Sequence, residues 1–302
     1  MPFRIASILA ASDLSNSSNE VIRSAAALAA LTGADLHVVH AEEEPSAAAT
    51  STPLREPDRS AVEELRRQVA TTIPQGAEVA SQHVAVGHAS TAILMRAAEA
   101  EAELIVIGAH RNRADADRPL GTTADLVVRS SPRPCLVVRR PVTLPLRRIL
   151  VPIDFSAASA VALDVALTWG TALRMPTVSG QITGLDVLHV LDAHGDRNAS
   201  AESVREEVEK QIAEAQRRAG ARARLEIQAH ALSADDAVEA ILSFALEDKA
   251  DLLVMATHGG KHADKIGSVS SAVARRSACP VLLVPPVLWR TRHAQEAALE
   301  AL

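Results

Sequence analysis

Continuous apolar runs of strand length recur along the first half of the chain, and helical patterns fill the intervals between them. The runs lie at residues 7–13, 35–41, 78–86, 104–108 and 135–138, the third of them as an alternation of apolar and polar positions. Short apolar runs bounded by turn signals are typical of buried strands. Strands that alternate with helices predict a β-α-β-α-β-α-β-α-β domain, with a doubly wound parallel sheet.

The same order of elements restarts after a short link at residues 139–147. RILVPIDFS (148–156) aligns with SILAASDLS (7–15), and VLHV (187–190) aligns with VVHA (38–41). GSVSSAVARRSACP (267–280) aligns with GTTADLVVRSSPRP (121–134) without a gap. Matches in one constant order indicate a tandem duplication. The sequence therefore predicts two similar five-stranded domains and a tail, at residues 1–142, 143–286 and 287–302.

Composition narrows the class of protein. A length of 302 residues with 48% hydrophobic and 23% charged residues fits two ordered domains. No apolar run approaches the roughly 20 residues of a membrane span. A net charge of −6 and 2% aromatic residues argue against nucleic-acid binding, which relies on basic and aromatic surfaces. We therefore expect a cytoplasmic protein that binds neither nucleic acid nor membrane.

The candidate chemistry lies at the predicted carboxyl ends of the strands. Asp13 and Asp154 end the first strands of the two halves, and a Gly-Thr or Gly-Ser pair opens a later helix. Open α/β sheets bind ligands at this edge, where strand order reverses, and a glycine followed by a helix N-terminus suits an anion. The same residues are also common at the turns of α/β folds, where Asp, Ser or Thr caps a helix or is simply solvated. Both interpretations stay open at this point.

The repeated motifs resemble the universal stress protein family in its tandem two-domain form. The resemblance is carried by LVP-x-D-x-S at 150–156, LHV in the second strand, THG at 257–259 and GSVS…CPVLLV at 267–284. It implies Rossmann-like domains of the adenine nucleotide alpha hydrolase type. It also implies an internal pseudo-dimer, paired through the last strands at 135–138 and 281–284, and allows a homodimer.

The ATP-binding form of this family resembles the pattern G, two residues, G, nine residues, G, then Ser or Thr. The first half keeps this spacing but has Arg111 at the second glycine, whereas the second half has Ala256 at the first glycine and a loop two residues shorter. The resemblance implies contacts with ATP and Mg²⁺ in each half. In the first half they are Ala11, Asp13, Ala41, Gly108, Gly121, Thr122 and Thr123. Their counterparts are Pro152, Asp154, Val190, Gly259, Gly267, Ser268 and Val269.

Three functions follow from these patterns. The first is a stress-response protein in which bound nucleotide biases interaction with an unknown protein partner. The second is a nucleotide-free dimerisation or interaction module with degenerate sites. The third, with less support, is a slow ATP-hydrolysing enzyme: the chain has no P-loop, G-x-S-x-G or H-E-x-x-H motif, so no catalytic or metal-binding residue is predicted.

Overall fold

A computed structural model describes residues 5–43, 56–73, 78–109, 120–173, 183–194, 200–219, 225–257 and 266–285. The chain divides into two compact units, the first of residues 5–142 and the second beginning at Thr143. Arg111, Gly259 and the predicted tail at 287–302 lie outside the described residues.

The described residues of the first unit form five strands and four helices in strict alternation. They are β1 (Ser7–Ser12), α1 (Ser18–Thr32), β2 (Asp35–Glu42), α2 (Arg59–Thr72), β3 (Ser81–Val86), α3 (Ala89–Glu99), β4 (Leu104–Gly108), α4 (Thr122–Ser130) and β5 (Cys135–Val138). The strands pair in parallel in the order β3-β2-β1-β4-β5. The order reverses between β1 and β4, which is where such a sheet opens a crevice.

The second unit repeats this arrangement. Its elements are β6 (Arg148–Pro152), α5 (Ala157–Ala172), β7 (Thr183–Asp192), α6 (Ala201–Ala219), β8 (Leu225–Ala234), α7 (Ala237–Glu247), β9 (Leu252–Ala256), α8 (Ser268–Arg276) and β10 (Val281–Val284). The parallel order is β8-β7-β6-β9-β10. The predicted fold class, two tandem α/β domains with parallel sheets, is confirmed.

Burial explains why these residues form these elements. All six residues of β1 are buried, as expected for a central strand that helices cover on both faces. The apolar face of α1 packs inward through Val21, Ile22 and Leu28. The helix ends at Gly33, where φ is 71° and the N–H donates to the carbonyl of Ala29 at 2.8 Å. A left-handed residue at this position favours glycine, because a Cβ is strained there.

Unusual backbone conformations recur at matching positions of the two units. Leu14 and Phe155, each directly after the aspartate that follows the first strand, have φ of 62° and 59°. Glu101 and Lys249, each three residues before the fourth strand, have φ of 49° and 54°. Left-handed angles cost a non-glycine residue about 1–2 kcal/mol. Their repetition shows that the duplication extends to local geometry.

A buried carboxylate distinguishes the second unit. Asp186 on β7 is 3% exposed, and its oxygens lie 2.9 Å from Nε2 of His230 and 3.3 Å from a guanidinium nitrogen of Arg148. In the first unit the matching position is His37. Burial and the nearby charge of Arg96 lower the pKa of His37, partly opposed by Asp35. The two units therefore fill the same position of the sheet with different side chains, a histidine in the first and a buried carboxylate in the second.

We expect Asp186→Ala to lower the free energy of unfolding of the second unit by about 2–3 kcal/mol, because His230 loses its partner and Arg148 is left with the more distant Asp248, at 3.5 Å. Urea unfolding followed by circular dichroism measures the change. Glu202→Ala is the control, since its pair with Arg205 is exposed to solvent and should contribute little to stability. Equal losses of stability in the two variants would contradict a stabilising role for the buried Asp186.

We expect the Cys135 thiol to resist alkylation in the native protein. The residue is 1% exposed, and burial raises its pKa to about 12, so almost no thiolate exists at pH 8. Cys279 is only partly buried and should react with iodoacetamide first. Peptide mass mapping after a timed reaction distinguishes the sites. Modification of Cys135 as fast as in urea-unfolded protein would show that the strand opens readily.

Candidate functional site

A cleft of about 300 Å³ opens at the carboxyl ends of β1 and β4 in the first unit. It lies where the strand order reverses, as the topology requires. The residues that line it are Ala11, Ser12, Asp13, Ser17, Ser18, Val39, Ala41, Glu43, Ala89, Ile93, Ile107, Gly108, Ala109, Gly121, Thr122, Thr123 and Ala124. The structure thus brings together all seven residues that the sequence singles out in this half.

The N-terminus of α4 forms one side of the cleft. Gly121 precedes the helix and donates its N–H to the carbonyl of Ala109 at 3.0 Å, so this N–H serves the fold. Helix geometry leaves the N–H groups of Thr122, Thr123 and Ala124 without intrahelical partners. Together with the helix dipole they favour a negatively charged group. Gly121 has φ of −52°, which any residue adopts, so its contribution is the lack of a side chain beside the cleft.

Asp13 shapes the turn between β1 and α1. Its Oδ1 accepts hydrogen bonds from the backbone N–H of Ser15 at 3.0 Å and from the hydroxyls of Ser15 and Ser18. The N–H of Asp13 donates to Oγ of Ser18 at 3.0 Å. Asp13 is therefore a turn-forming residue, and the same contacts fix its carboxylate beside the cleft.

His40 and His189, which occupy matching positions in VVHA (38–41) and VLHV (187–190), each contact the end of the first strand of their own unit. Nδ1 of His40 lies 2.9 Å from the carbonyl of Ser12, and Nδ1 of His189 lies 2.8 Å from the carbonyl of Ile153. A carbonyl only accepts, so Nδ1 carries the proton in both residues. Sequence reasoning uses these histidines to align the halves but does not predict this contact. No local sequence spacing predicts this hydrogen bond, since its two partners are far apart in sequence.

The second unit repeats the frame of the site with different side chains. Oδ1 of Asp154 accepts from the N–H of Ser156 at 3.0 Å, and Gly267 donates its N–H to the carbonyl of Thr257 at 2.8 Å. Pro152 ends β6, Val190 lies on β7, and Ser268 and Val269 open α8. Phe155 stacks on His189 with ring centroids 4.4 Å apart. Six of the seven predicted counterparts are thus placed as in the first unit, and Gly259 lies outside the described residues.

The charged side chains in the described lining of the first cleft are all acidic. Its described lining includes the carboxylates of Asp13 and Glu43 and contains no lysine or arginine. Three arginines, Arg111, Arg113 and Arg118, stand in the segment between β4 and α4, which lies outside the described residues. Within the described lining, the positive end for an anion is therefore the backbone at the start of α4.

The family model of the universal stress proteins matches the chain twice, at residues 5–139 and 145–285. The chain belongs to the universal stress protein family. A comparison with curated proteins found no match. None of the helices within the described segments has the length and apolar character to span a membrane.

Two solved structures of similar length agree with this chain in fold. A universal stress protein from Archaeoglobus fulgidus DSM 4304 is 21% identical, with 94% of this chain and 97% of that chain covered and a TM-score of 0.66. A protein of unknown function from Pseudomonas aeruginosa PAO1 is 18% identical over 99% and 98% of the chains, with a TM-score of 0.60. A universal stress protein solved in complex with cAMP is 23% identical over 45% and 98%, with a TM-score of 0.34.

We expect His40→Leu to lower the free energy of unfolding of the first unit by about 1–2 kcal/mol, because the buried carbonyl of Ser12 loses its donor. Urea unfolding measures the loss. His83→Leu serves as the control, since His83 lies exposed on β3 and its replacement should change stability by under about 0.5 kcal/mol. A His40 variant as stable as the control would remove the structural role.

Proposed function

We propose that this universal stress protein binds ATP or a related adenine nucleotide in the first unit's cleft, and that occupancy biases its interaction with a protein partner in the cytoplasm during stress. The observation that carries the proposal is the convergence of seven sequence-predicted residues on one cleft. They come from three separate strands and the start of α4. Topology brings the strand and helix ends to this crevice, and the family pattern names which of their residues would contact a nucleotide.

The two ends of the cleft suit the two ends of a nucleotide. The start of α4 offers unpaired N–H groups to phosphates. On the other side of β1, the apolar side chains of Val39 and Ala41 on β2 offer a surface for a base. Asp13 lies between them at the end of β1, where a carboxylate accepts hydrogen bonds from ribose hydroxyls and disfavours a neighbouring phosphate. Mg²⁺ would then accompany the phosphates.

The second unit is the weaker candidate for the same ligand. Ala256 stands at the strand end where the first unit has Gly108, and the following segment is two residues shorter. The hydroxyl of Ser270 donates to the carbonyl of Ala256 at 2.8 Å, a contact that Ala124 at the matching position of α4 does not make. These differences favour a site that has lost function in this unit.

We further propose that the units form an intramolecular pseudo-dimer through β5 and β10. Each is the last strand at one edge of its own unit's sheet, and each is wholly apolar in sequence apart from Cys135. An unpaired apolar edge invites association, so pairing within one chain protects both edges. A homodimer of the whole chain would build on the same frame.

The alternative is a nucleotide-free interaction module, and the two carboxylates of the cleft together with the altered glycines favour it. ATP hydrolysis is the less supported alternative, since the sequence contains no P-loop, G-x-S-x-G or H-E-x-x-H motif.

Thermal unfolding with ATP and Mg²⁺ tests the proposal. Ligand at 100 times its Kd should stabilise the folded protein by about 2.7 kcal/mol. Asp13→Asn keeps an acceptor for the Ser15 N–H but removes the charge, so we expect about a tenfold loss of affinity for ATP. Asp154→Asn measures the share of the second unit, and GTP and cAMP report base and phosphate preference. No stabilisation at millimolar ATP would leave the interaction module as the function.

A further inference from the structure

A single amide on α2 holds both sides of the turn that carries Asp13. Oε1 of Gln68 accepts from the hydroxyl of Ser12 at 2.6 Å. Nε2 of Gln68 donates to the carbonyl of Ser15 at 2.9 Å and to Oδ1 of Asn19 at 2.9 Å. Ser12 precedes Asp13 directly, and Ser15 follows it by two residues. Gln68 itself does not line the cleft.

The hydrogen bonds from Gln68 to Ser12, Ser15 and Asn19, here called the brace, also support the strained residue of the turn. Oγ of Ser12, which donates to Gln68, also accepts from the N–H of Leu14 at 3.0 Å. Leu14 holds a left-handed φ of 62°, a conformation that persists only where its surroundings fix it. Asn19 is held in turn by the hydroxyl of Thr72 at 3.2 Å, one turn further along α2. Helix α2 therefore contacts the turn through Gln68, and it contacts the first residues of α1 through both Gln68 and Thr72.

The second unit keeps the glutamine but lacks the brace. Gln211 on α6 stands between the buried Val208 and Ile212, as Gln68 stands between Leu65 and Val69. Two of the side chains that Gln68 contacts, Ser12 and Asn19, are replaced by Ile153 and Ala160 in the second unit. In the part of the chain that the structure describes, no side-chain hydrogen bond joins Gln211 to the turn of Asp154.

We infer that Gln68 is a positioning residue for the nucleotide cleft of the first unit, acting through the Asp13 turn. This inference rests on the proposed nucleotide site. A carboxylate that accepts hydrogen bonds from a ligand binds more tightly when its backbone is fixed beforehand, because less ordering accompanies binding. The start of α4 has no contact with Gln68 in the described hydrogen bonds, so the phosphate end of the cleft is independent of the brace.

Calorimetric titration of the full chain with ATP, adenosine and inorganic tripolyphosphate tests the inference. In Gln68→Leu we expect affinity for ATP and for adenosine to fall by the same factor, about tenfold, while tripolyphosphate binds within twofold of the natural protein. Gln68→Glu keeps the acceptor for Ser12 but turns a carboxylate oxygen toward the carbonyl of Ser15 and Oδ1 of Asn19, so its loss of affinity for ATP and adenosine should be at least as large as that of Gln68→Leu. Gln211→Leu is the matched control and should leave all three affinities unchanged.

Each outcome has a distinct meaning. If the natural protein binds neither ATP nor adenosine, the proposed function fails and the role of Gln68 in binding fails with it. If the natural protein binds ATP and Gln68→Leu binds it equally well, the inference is overturned while the site stands. An equal loss for tripolyphosphate would also overturn it, because a general loss of structure does not select one end of the ligand. Should Gln68→Leu fail to fold, Gln68→Glu alone decides the outcome through the same ratio.

Discussion

In a parallel sheet that is covered by helices on both faces, the central strands are buried along their length. Polar groups can therefore meet a ligand or solvent only at the ends of these strands. β1 shows the constraint at its strongest, since all six of its residues are buried. The chain must satisfy the carbonyl of Ser12 where the strand stops, and His40 does so from the neighbouring strand. Asp13 then turns the chain toward α1. The side of the cleft that carries Asp13 follows from the way that this one strand ends.

The parts of this arrangement that depend on local sequence could be predicted. The strands at Leu104–Gly108 and Cys135–Val138 match their apolar runs, because no other face is available to such residues. The third strand begins at Ser81, three residues later than the pattern indicates, since β3 is an edge strand whose polar positions constrain its start weakly. The lining of the cleft was within reach because backbone positions at strand and helix ends converge by topology. Gln68, His40 and the Asp186–His230 pair were not, because their partners lie 28 to 56 residues away and leave no spacing to detect.

The two units share backbone contacts around the cleft position but differ in the side chains that surround them. The hydrogen bond from the glycine before α4 or α8 back to the strand end is the same in both, as are the left-handed residues and the histidine contact. The side chains around this frame have diverged: Ser12 and Asn19 became Ile153 and Ala160, or the reverse. Backbone geometry is therefore the conserved quantity between the units, and the chemistry presented on it is the variable one.

The histidine contact has an evolutionary consequence. Because His40 and His189 each fasten a strand end from within their own unit, the closure of one crevice needs nothing from the other. Substitutions can then accumulate in one copy while the other stays under selection. Because each domain is stabilised from within, the two domains of one chain can diverge in function. One domain can retain ligand binding while the other takes a purely structural role.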